Sequence, residues 1–119
     1  MSDEGALMAL KEKRLAAARA LLNKFGLRDW KVAFADLSRV KTKSLVGESF
    51  GALGICVFQD RRILVDPCLM KHRNRFLGVV RHEISHALFG RMGHGREWLR
   101  IAKQVGCSAR SLEPYRIVL

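Results

Sequence analysis

The most constraining feature of this sequence is a His-Glu-x-x-His pattern at residues 82–86, inside a strongly periodic segment. Residues 75–89 place apolar side chains at spacings of three and four, which predicts an amphipathic helix. In a helix, residues four apart differ by about 40° in direction and about 6 Å in height, so both imidazoles can reach one point. Zinc accepts imidazole nitrogens at about 2.0–2.1 Å. The segment therefore predicts a helix in which His82 and His86 bind zinc.

A glutamate next to the first of these histidines gives the pattern a chemical role. Glu83 can take a proton from a water at the metal, as peptide hydrolysis requires. In a random shuffle of this composition, roughly 0.007 matches to the pattern would be expected. We therefore predict a zinc hydrolase in which Glu83 is the catalytic acid/base.

A catalytic zinc needs a third protein ligand and one open position. His94 is the favoured candidate, because Gly90 and Gly93 would let the chain turn back toward the helix. Glu97, one turn into the next helix, is the competing candidate. His72 lies outside the cluster and is predicted to be a surface residue.

The charge balance predicts a polyanionic partner. The chain has 22 Lys and Arg against 11 Asp and Glu, which gives a net charge of +11. Residues 71–81 hold four basic side chains and no acidic one. These candidates for nucleic-acid contact are Lys71, Arg73, Arg75 and Arg81. A basic surface of this kind most often contacts nucleic acid, although acidic protein substrates would also be attracted to it.

Several features of the sequence predict a cytoplasmic location and a single domain. No apolar run approaches the roughly 20 residues that a membrane-spanning helix needs. The start, Met1-Ser2-Asp3-Glu4, is acidic and unlike a signal peptide. The cysteines are odd in number and scattered, which predicts reduced thiols rather than a disulfide framework. They are Cys56, Cys68 and Cys107. A length of 119 residues suits a single domain.

The remaining signals predict an α+β fold. Residues 4–25 are expected to form a helix capped by Gly26, and residues 30–35 a strand. A hairpin is expected from residues 53–58 and 61–66, followed by a short helix with Asp66 as N-cap and Pro67 first. A last helix should cover residues 96–105, with Gly106 as its cap, and residues 115–119 could form a strand. Residues 37–50 give weak signals.

The sequence resembles the SprT-like family of zinc metalloproteases, whose members include proteases that remove proteins crosslinked to DNA. Residues 82–89 resemble the catalytic helix of that family, and the Gly-His-Gly turn at 93–95 followed by Trp98 resembles its next motif. Residues 30–32, 53–56 and 61–65 resemble its strands. The third histidine of metzincin proteases follows the second by six residues. Here the separation is eight, so that class matches less well.

The resemblance implies one SprT-like domain over residues 1–119, with a zincin-like fold. It implies an N-terminal helix, a small three-stranded antiparallel-type sheet and two metal-bearing helices. His82, His86 and His94 would bind one catalytic Zn²⁺, and Glu83 would be the acid/base. The expected substrates are DNA-associated proteins, with single-stranded DNA or DNA with exposed bases as partner and DNA repair as context. Many relatives carry a cysteine-rich zinc ribbon after this domain that these residues lack.

Other readings remain open at this point. The chain could be a DNA-binding module whose zinc is structural, with Cys107 or Glu97 closing the site as a fourth ligand. It could also be a protease that acts mainly on itself. For the protease, Tyr115 or Arg116 could stabilise the oxyanion, and substrate is expected to lie extended along an edge strand.

Overall fold

A computed structural model describes residues 3–38, 41–43, 49–51 and 53–112 of the chain. Its helices are α1 (Asp3–Lys24), α2 (Arg73–Phe89), α3 (Arg96–Val105) and α4 (Ala109–Leu112), with a 3₁₀ helix at Pro67–Leu69. Its strands are β1 (Lys31–Phe34), β2 (Lys41–Lys43), β3 (Ser49–Gly51), β4 (Gly54–Val57) and β5 (Arg62–Val65). The predicted α+β class is confirmed. Among the described helices, none combines the length and apolar character that crossing a membrane requires.

Helix α1 ends as its sequence predicts. Gly26 follows the helix with φ +77°, a left-handed conformation that glycine adopts without strain. The Leu27 N–H donates to the Leu22 carbonyl at 2.8 Å, which satisfies one of the free carbonyls at the helix end. Ala18 and Leu22 are buried, so the C-terminal half of α1 packs on the rest of the molecule.

The main sheet is mixed, which corrects the expectation of an antiparallel sheet. Its strand order is β1-β5-β4. Strands β4 and β5 form the predicted antiparallel hairpin, with Ile55 opposite Leu64. Strands β1 and β5 are parallel, with Val32 opposite Ile63. The chain reverses between β4 and β5, so β5 runs in the direction of β1 and fits beside it.

Part of the region with weak signals forms a second, two-stranded sheet. Strand β2 pairs antiparallel with β3, and Thr42 lies opposite Phe50. Short strands with little alternation give a sequence pattern almost nothing to detect. The strand predicted at residues 115–119 lies outside the described residues.

Asp66 organises the approach to α2. Its carboxylate accepts from the Cys68 N–H at 2.9 Å, which is the predicted cap, and from the Leu37 N–H at 3.0 Å. These bonds, the one to Cys68 first, hold the pKa of Asp66 below its ordinary value. One side chain thus ties the end of β5 to the segment after β1 and starts the turn that leads into α2.

Helix α2 lies at the centre of the molecule, against α1, α3, β4 and β5. The main core contains residues from all of these except β4: Ala18, Leu22, Ile63, Val65, Leu69, Phe76, Val80, Ile84 and Val105. A second cluster, of Trp98, Ala102 and Leu112, joins α3 to the short helix α4, which the sequence did not predict. Helix α3 contributes to both clusters, and so it is fixed beside α2.

Candidate metal centre

Helix α2 presents two histidines one turn apart at its C-terminal end. The rings of His82 and His86 have centroids 5.0 Å apart. His86 is 1% exposed. The helix ends at Gly90, whose φ of +81° is left-handed and whose N–H donates to the His86 carbonyl at 2.9 Å. The chain therefore leaves the helix about one turn after the second histidine.

The turn between α2 and α3 brings a third histidine to the same point. Gly93, with φ +119°, allows the reversal that the sequence predicts. The Nε2 atom of His94 lies 3.1 Å from Nε2 of His86 and 3.2 Å from Nε2 of His82. The structure thus gathers the three predicted histidines.

This arrangement fits a zinc ion. Two nitrogens that each lie 2.0–2.1 Å from a tetrahedral zinc are about 3.3–3.4 Å apart. The spacings of 3.1 and 3.2 Å around His94 are close to that value. A neutral imidazole has one N–H, so Nε2 of His94 can donate to one of its two neighbours at most. Converging nitrogen lone pairs favour a cation between them, and the three histidines could hold a metal ion.

The protein environment keeps these imidazoles in the form that binds metal. Burial, and then repulsion from the other histidines, lowers the pKa of His82 to about 3. Burial and then His94 lower the pKa of His86 to about 4, against the opposing effect of the Arg91 carbonyl. Burial also lowers the pKa of His94. Neutral imidazole is the ligand form, so these lowered pKa values favour the form of the rings that binds a metal ion.

Trp98 of α3 packs against the rings of all three histidines. Its side chain is completely buried. Its ring centroid lies 4.8 Å from that of His82, 5.2 Å from that of His86 and 4.7 Å from that of His94. The ring is stacked on His86 at 29° and stands at 88° to His94. The sequence had indicated an aromatic residue here, but its contact with every candidate ligand arises from the packing of α3 on α2.

Replacing Trp98 with alanine is expected to weaken zinc binding by about 10–100-fold, because the rings lose the group that orients them. Loss of a fully buried indole should also destabilise the fold by about 3–5 kcal/mol. Trp98→Phe should recover most of the zinc affinity, since a smaller ring still supports the imidazoles. Competition with a chromophoric chelator measures the affinity, and equal affinity for Trp98→Ala and wild type would contradict the assignment.

Glu83 lies beside this cluster in an apolar environment. Its side chain is 4% exposed, and burial raises its pKa to about 7. The neighbouring Cys56 thiol of β4 is also buried, and burial followed by the charge of Glu83 raises its pKa to about 12. A nearby divalent cation would favour the ionised carboxylate. Burial and a bound cation would thus move the pKa of Glu83 in opposite directions.

The competing ligands lie elsewhere. Glu97 is exposed and faces Arg91, with Oε2 3.7 Å from Nη2. Cys107 has its Sγ 3.9 Å from Oγ of Ser85. Across residues 3–38 and 53–112, the three histidines form the one group of potential ligands close enough to share an ion. His72 is exposed at the start of α2, as predicted. Tyr115 and Arg116 lie outside the described residues.

The predicted basic residues divide into two places. Lys71, Arg73 and Arg75 are exposed at the start of α2. Arg81 is half-buried, and its Nε would lie 3.6 Å from a Cβ built on Gly106. The structure thus leaves three of the four exposed near the start of α2 and packs the fourth against the end of α3. All three cysteines are free thiols.

Comparison with known proteins gives one match. A family model described as the SprT-like family matches residues 18–117. Searches of curated proteins and of solved structures give no significant match. The matched segment includes the three histidines, Glu83 and Trp98.

Proposed function

This chain belongs to the SprT-like family, and from that membership and its histidine geometry we propose that it is a zinc-dependent metalloendopeptidase. The proposed substrates are DNA-associated proteins, including proteins crosslinked to DNA, and the proposed setting is DNA repair in the cytoplasm. The observation that carries the enzymatic part is the convergence of three Nε2 atoms, 3.1 and 3.2 Å apart around His94, beside a buried glutamate.

The residues of the site have distinct roles in this proposal. His82, His86 and His94 hold one zinc ion, which when bound supplies a Lewis acid for water and the scissile carbonyl. Glu83 accepts a proton from the attacking water and returns it to the leaving amine. Burial raises its pKa, which favours the acid that returns the proton, whereas a bound cation would favour the carboxylate that accepts it. Trp98 keeps the three imidazoles in position.

The free edge of strand β4 is the proposed binding site for the substrate peptide. In the described part of the chain, β4 pairs with β5 alone, so its other edge is available for an extended peptide. Gly54 at the start of β4 lies directly against Glu83. A peptide that pairs with this edge would therefore pass beside the catalytic glutamate.

The exposed basic surface is the proposed contact for DNA. Lys71, Arg73 and Arg75, here called the basic surface, lie at the start of α2. Arg75 precedes His82 by seven helical residues, which corresponds to about 10 Å along the axis. Single-stranded DNA, or DNA with exposed bases, bound there would hold an associated protein close to the catalytic centre. Charge complementarity supports this partner.

The experiment that tests the function is proteolysis of a DNA-binding protein by zinc-loaded enzyme, with and without single-stranded DNA. Products that require DNA and zinc, and are absent with Glu83→Gln, are expected. Equal cleavage without DNA would keep the protease and contradict the role of DNA. Absence of products in every lane, with zinc bound, would favour the non-catalytic zinc module.

Charge reversal of the basic surface is expected to weaken single-stranded DNA binding and make it less salt-dependent. The variant has Lys71, Arg73 and Arg75 changed to glutamate. The slope of the logarithm of the association constant against the logarithm of salt concentration should become shallower by about 2, since each phosphate contact contributes about 0.7. The fold should persist, because acidic residues are favourable at a helix start. Fluorescence anisotropy with a labelled oligonucleotide measures the slope.

A matched control separates local contact from net charge. Lys11, Lys13 and Arg19 are exposed on α1, and changing them to glutamate alters the net charge by the same amount. The control variant should lose less affinity for single-stranded DNA, and its salt dependence should stay as steep as that of wild type. Equal losses in the two variants would mean that DNA responds to overall charge and would remove the basic surface from the proposal.

A further inference from the structure

One glycine permits an unusually close approach between the sheet and the helix that carries Glu83. A Cβ atom built on Gly54 would lie 2.5 Å from Cγ1 of Val79, 3.2 Å from Cγ of Glu83 and 3.5 Å from its Oε2. Non-bonded carbon atoms pack at about 3.5–4.0 Å. Strand β4 therefore comes nearer to α2 than any other residue at position 54 would allow.

The reason for glycine here is space rather than backbone conformation. Among the glycines that the structure describes, those with left-handed φ are Gly26, Gly90, Gly93 and Gly106. Gly54 is not among them, and it pairs with Val65 in a regular antiparallel register. A larger residue could adopt this backbone, but its side chain would enter the volume that Val79 and Glu83 occupy.

The contact falls on the methylene stem of Glu83. Its Cγ and Oε2 face the backbone of β4 at Gly54, while its Cα is fixed by the middle of α2. Cys56 lies two residues further along β4 and so points to the same face of the strand. Cys56 is 5% exposed and Glu83 4%. Strand β4 thus packs along the side chain of Glu83, and at Gly54 no side chain of the strand separates the two.

We propose that Gly54 is a positioning residue, whose missing side chain sets where the Glu83 carboxylate lies relative to the three histidines. This inference rests on the proposed peptidase function. A methyl group at position 54 would displace the stem of Glu83, while His82, His86 and His94 would keep their mutual spacing. The loss would appear in the proton-transfer step and not in zinc binding.

Paired variants separate positioning from packing. Gly54→Ala alone should perturb both, because the methyl meets Val79 at 2.5 Å. Adding Val79→Ala removes that clash and leaves the contact with Glu83, so the double variant reports on Glu83. Val79→Ala alone is the reference. Gly78→Ala is the matched glycine control, because a Cβ at Gly78 meets nothing within 4 Å.

The measurements are kcat, KM, zinc affinity by chelator competition, and Tm. We expect the double variant to match Val79→Ala in zinc affinity and Tm, but to have a kcat lower by on the order of 10-fold with little change in KM. Gly78→Ala should retain wild-type kcat. A double variant with the kcat of Val79→Ala would overturn the proposal.

A spectroscopic arm keeps this test independent of the proposed function. Substituted Co²⁺ absorbs visible light, and its spectrum responds to groups beside its open coordination position. We expect Glu83→Gln to change the spectrum, and the double variant to differ from Val79→Ala in the same bands. If wild type cleaves nothing but this difference is present, the proposed function fails and the positioning role stands. Identical spectra for the double variant and Val79→Ala would overturn the positioning role.

Discussion

Replacing Glu83 with glutamine is expected to lower the rate of peptide hydrolysis by on the order of 10²–10⁴-fold, the usual contribution of a positioned acid/base. Glutamine has nearly the same shape but cannot accept the proton from water. The fold should be unaffected, because an amide is easier to bury than a carboxylate at 4% exposure. Zinc affinity should change little, since the three histidines are untouched. Product formation and metal content in one preparation measure both effects.

The matched control for this substitution is Glu97→Gln, the same chemical change on the following helix. Glu97 is exposed and faces Arg91 at 3.7 Å, an arrangement that contributes about 0–1 kcal/mol. This variant should keep full activity and zinc. Loss of zinc on Glu97→Gln would instead make Glu97 a ligand and contradict the site described above.

The Glu83→Gln variant also distinguishes the three functional hypotheses. A non-catalytic DNA-binding module should behave identically with Glu83 or glutamine. A protease that acts mainly on itself should accumulate at full length as Glu83→Gln and show little cleavage of other proteins. An endopeptidase of the proposed kind should lose cleavage of added substrate.

Changing His94 to alanine is expected to weaken zinc binding by on the order of 100–1,000-fold. Zinc sites with four protein ligands contribute about 10–16 kcal/mol, which is roughly 2.5–4 kcal/mol for each ligand. At free zinc 1,000-fold above the dissociation constant, bound metal stabilises the fold by at most about 4 kcal/mol. For a chain of this size, removal of the bound zinc should lower Tm by on the order of 15 °C.

The control here is His72→Ala, which removes a histidine that lies outside the cluster. His72 precedes α2 and its side chain makes no capping hydrogen bond. Zinc affinity and Tm should therefore match wild type. If chelation lowers Tm equally in wild type and His94→Ala, the metal is bound elsewhere and the three-histidine site is wrong.

The site could be predicted in outline because its chemistry is local in the sequence. His82 and His86 share a face by helical periodicity alone, and Gly90 and Gly93 give the reversal that returns His94. The contacts of Trp98 and Gly54 were not predictable in this way. They depend on how α3 and β4 approach α2, and no short-range pattern records that distance. A glycine inside a predicted strand was the one available signal, since it often marks a close approach.

In the fold, too, the features that neighbouring residues determine could be predicted, and those that depend on distant residues could not. The end of α1 at Gly26, the cap at Asp66 and the hairpin of β4 and β5 follow from neighbouring residues, and each is confirmed. The parallel pairing of β1 with β5 joins residues about 30 positions apart, whereas an antiparallel-type sheet was expected. Strands β2 and β3 are too short to produce a recognisable alternation.

The three candidate ligands lie within one stretch of 13 residues, His82 to His94. Closing the segment between His86 and His94, which are eight positions apart, costs on the order of 2 kcal/mol in chain entropy. One helical turn and this segment contain all three ligands, so binding an ion there requires no strand of the sheet. Zinc bound before the sheet forms would act as a local nucleus, whereas the pairing of β1 with β5 must wait for a much longer loop to close. The histidine-bearing end of α2 would then be among the first parts of the chain to become ordered.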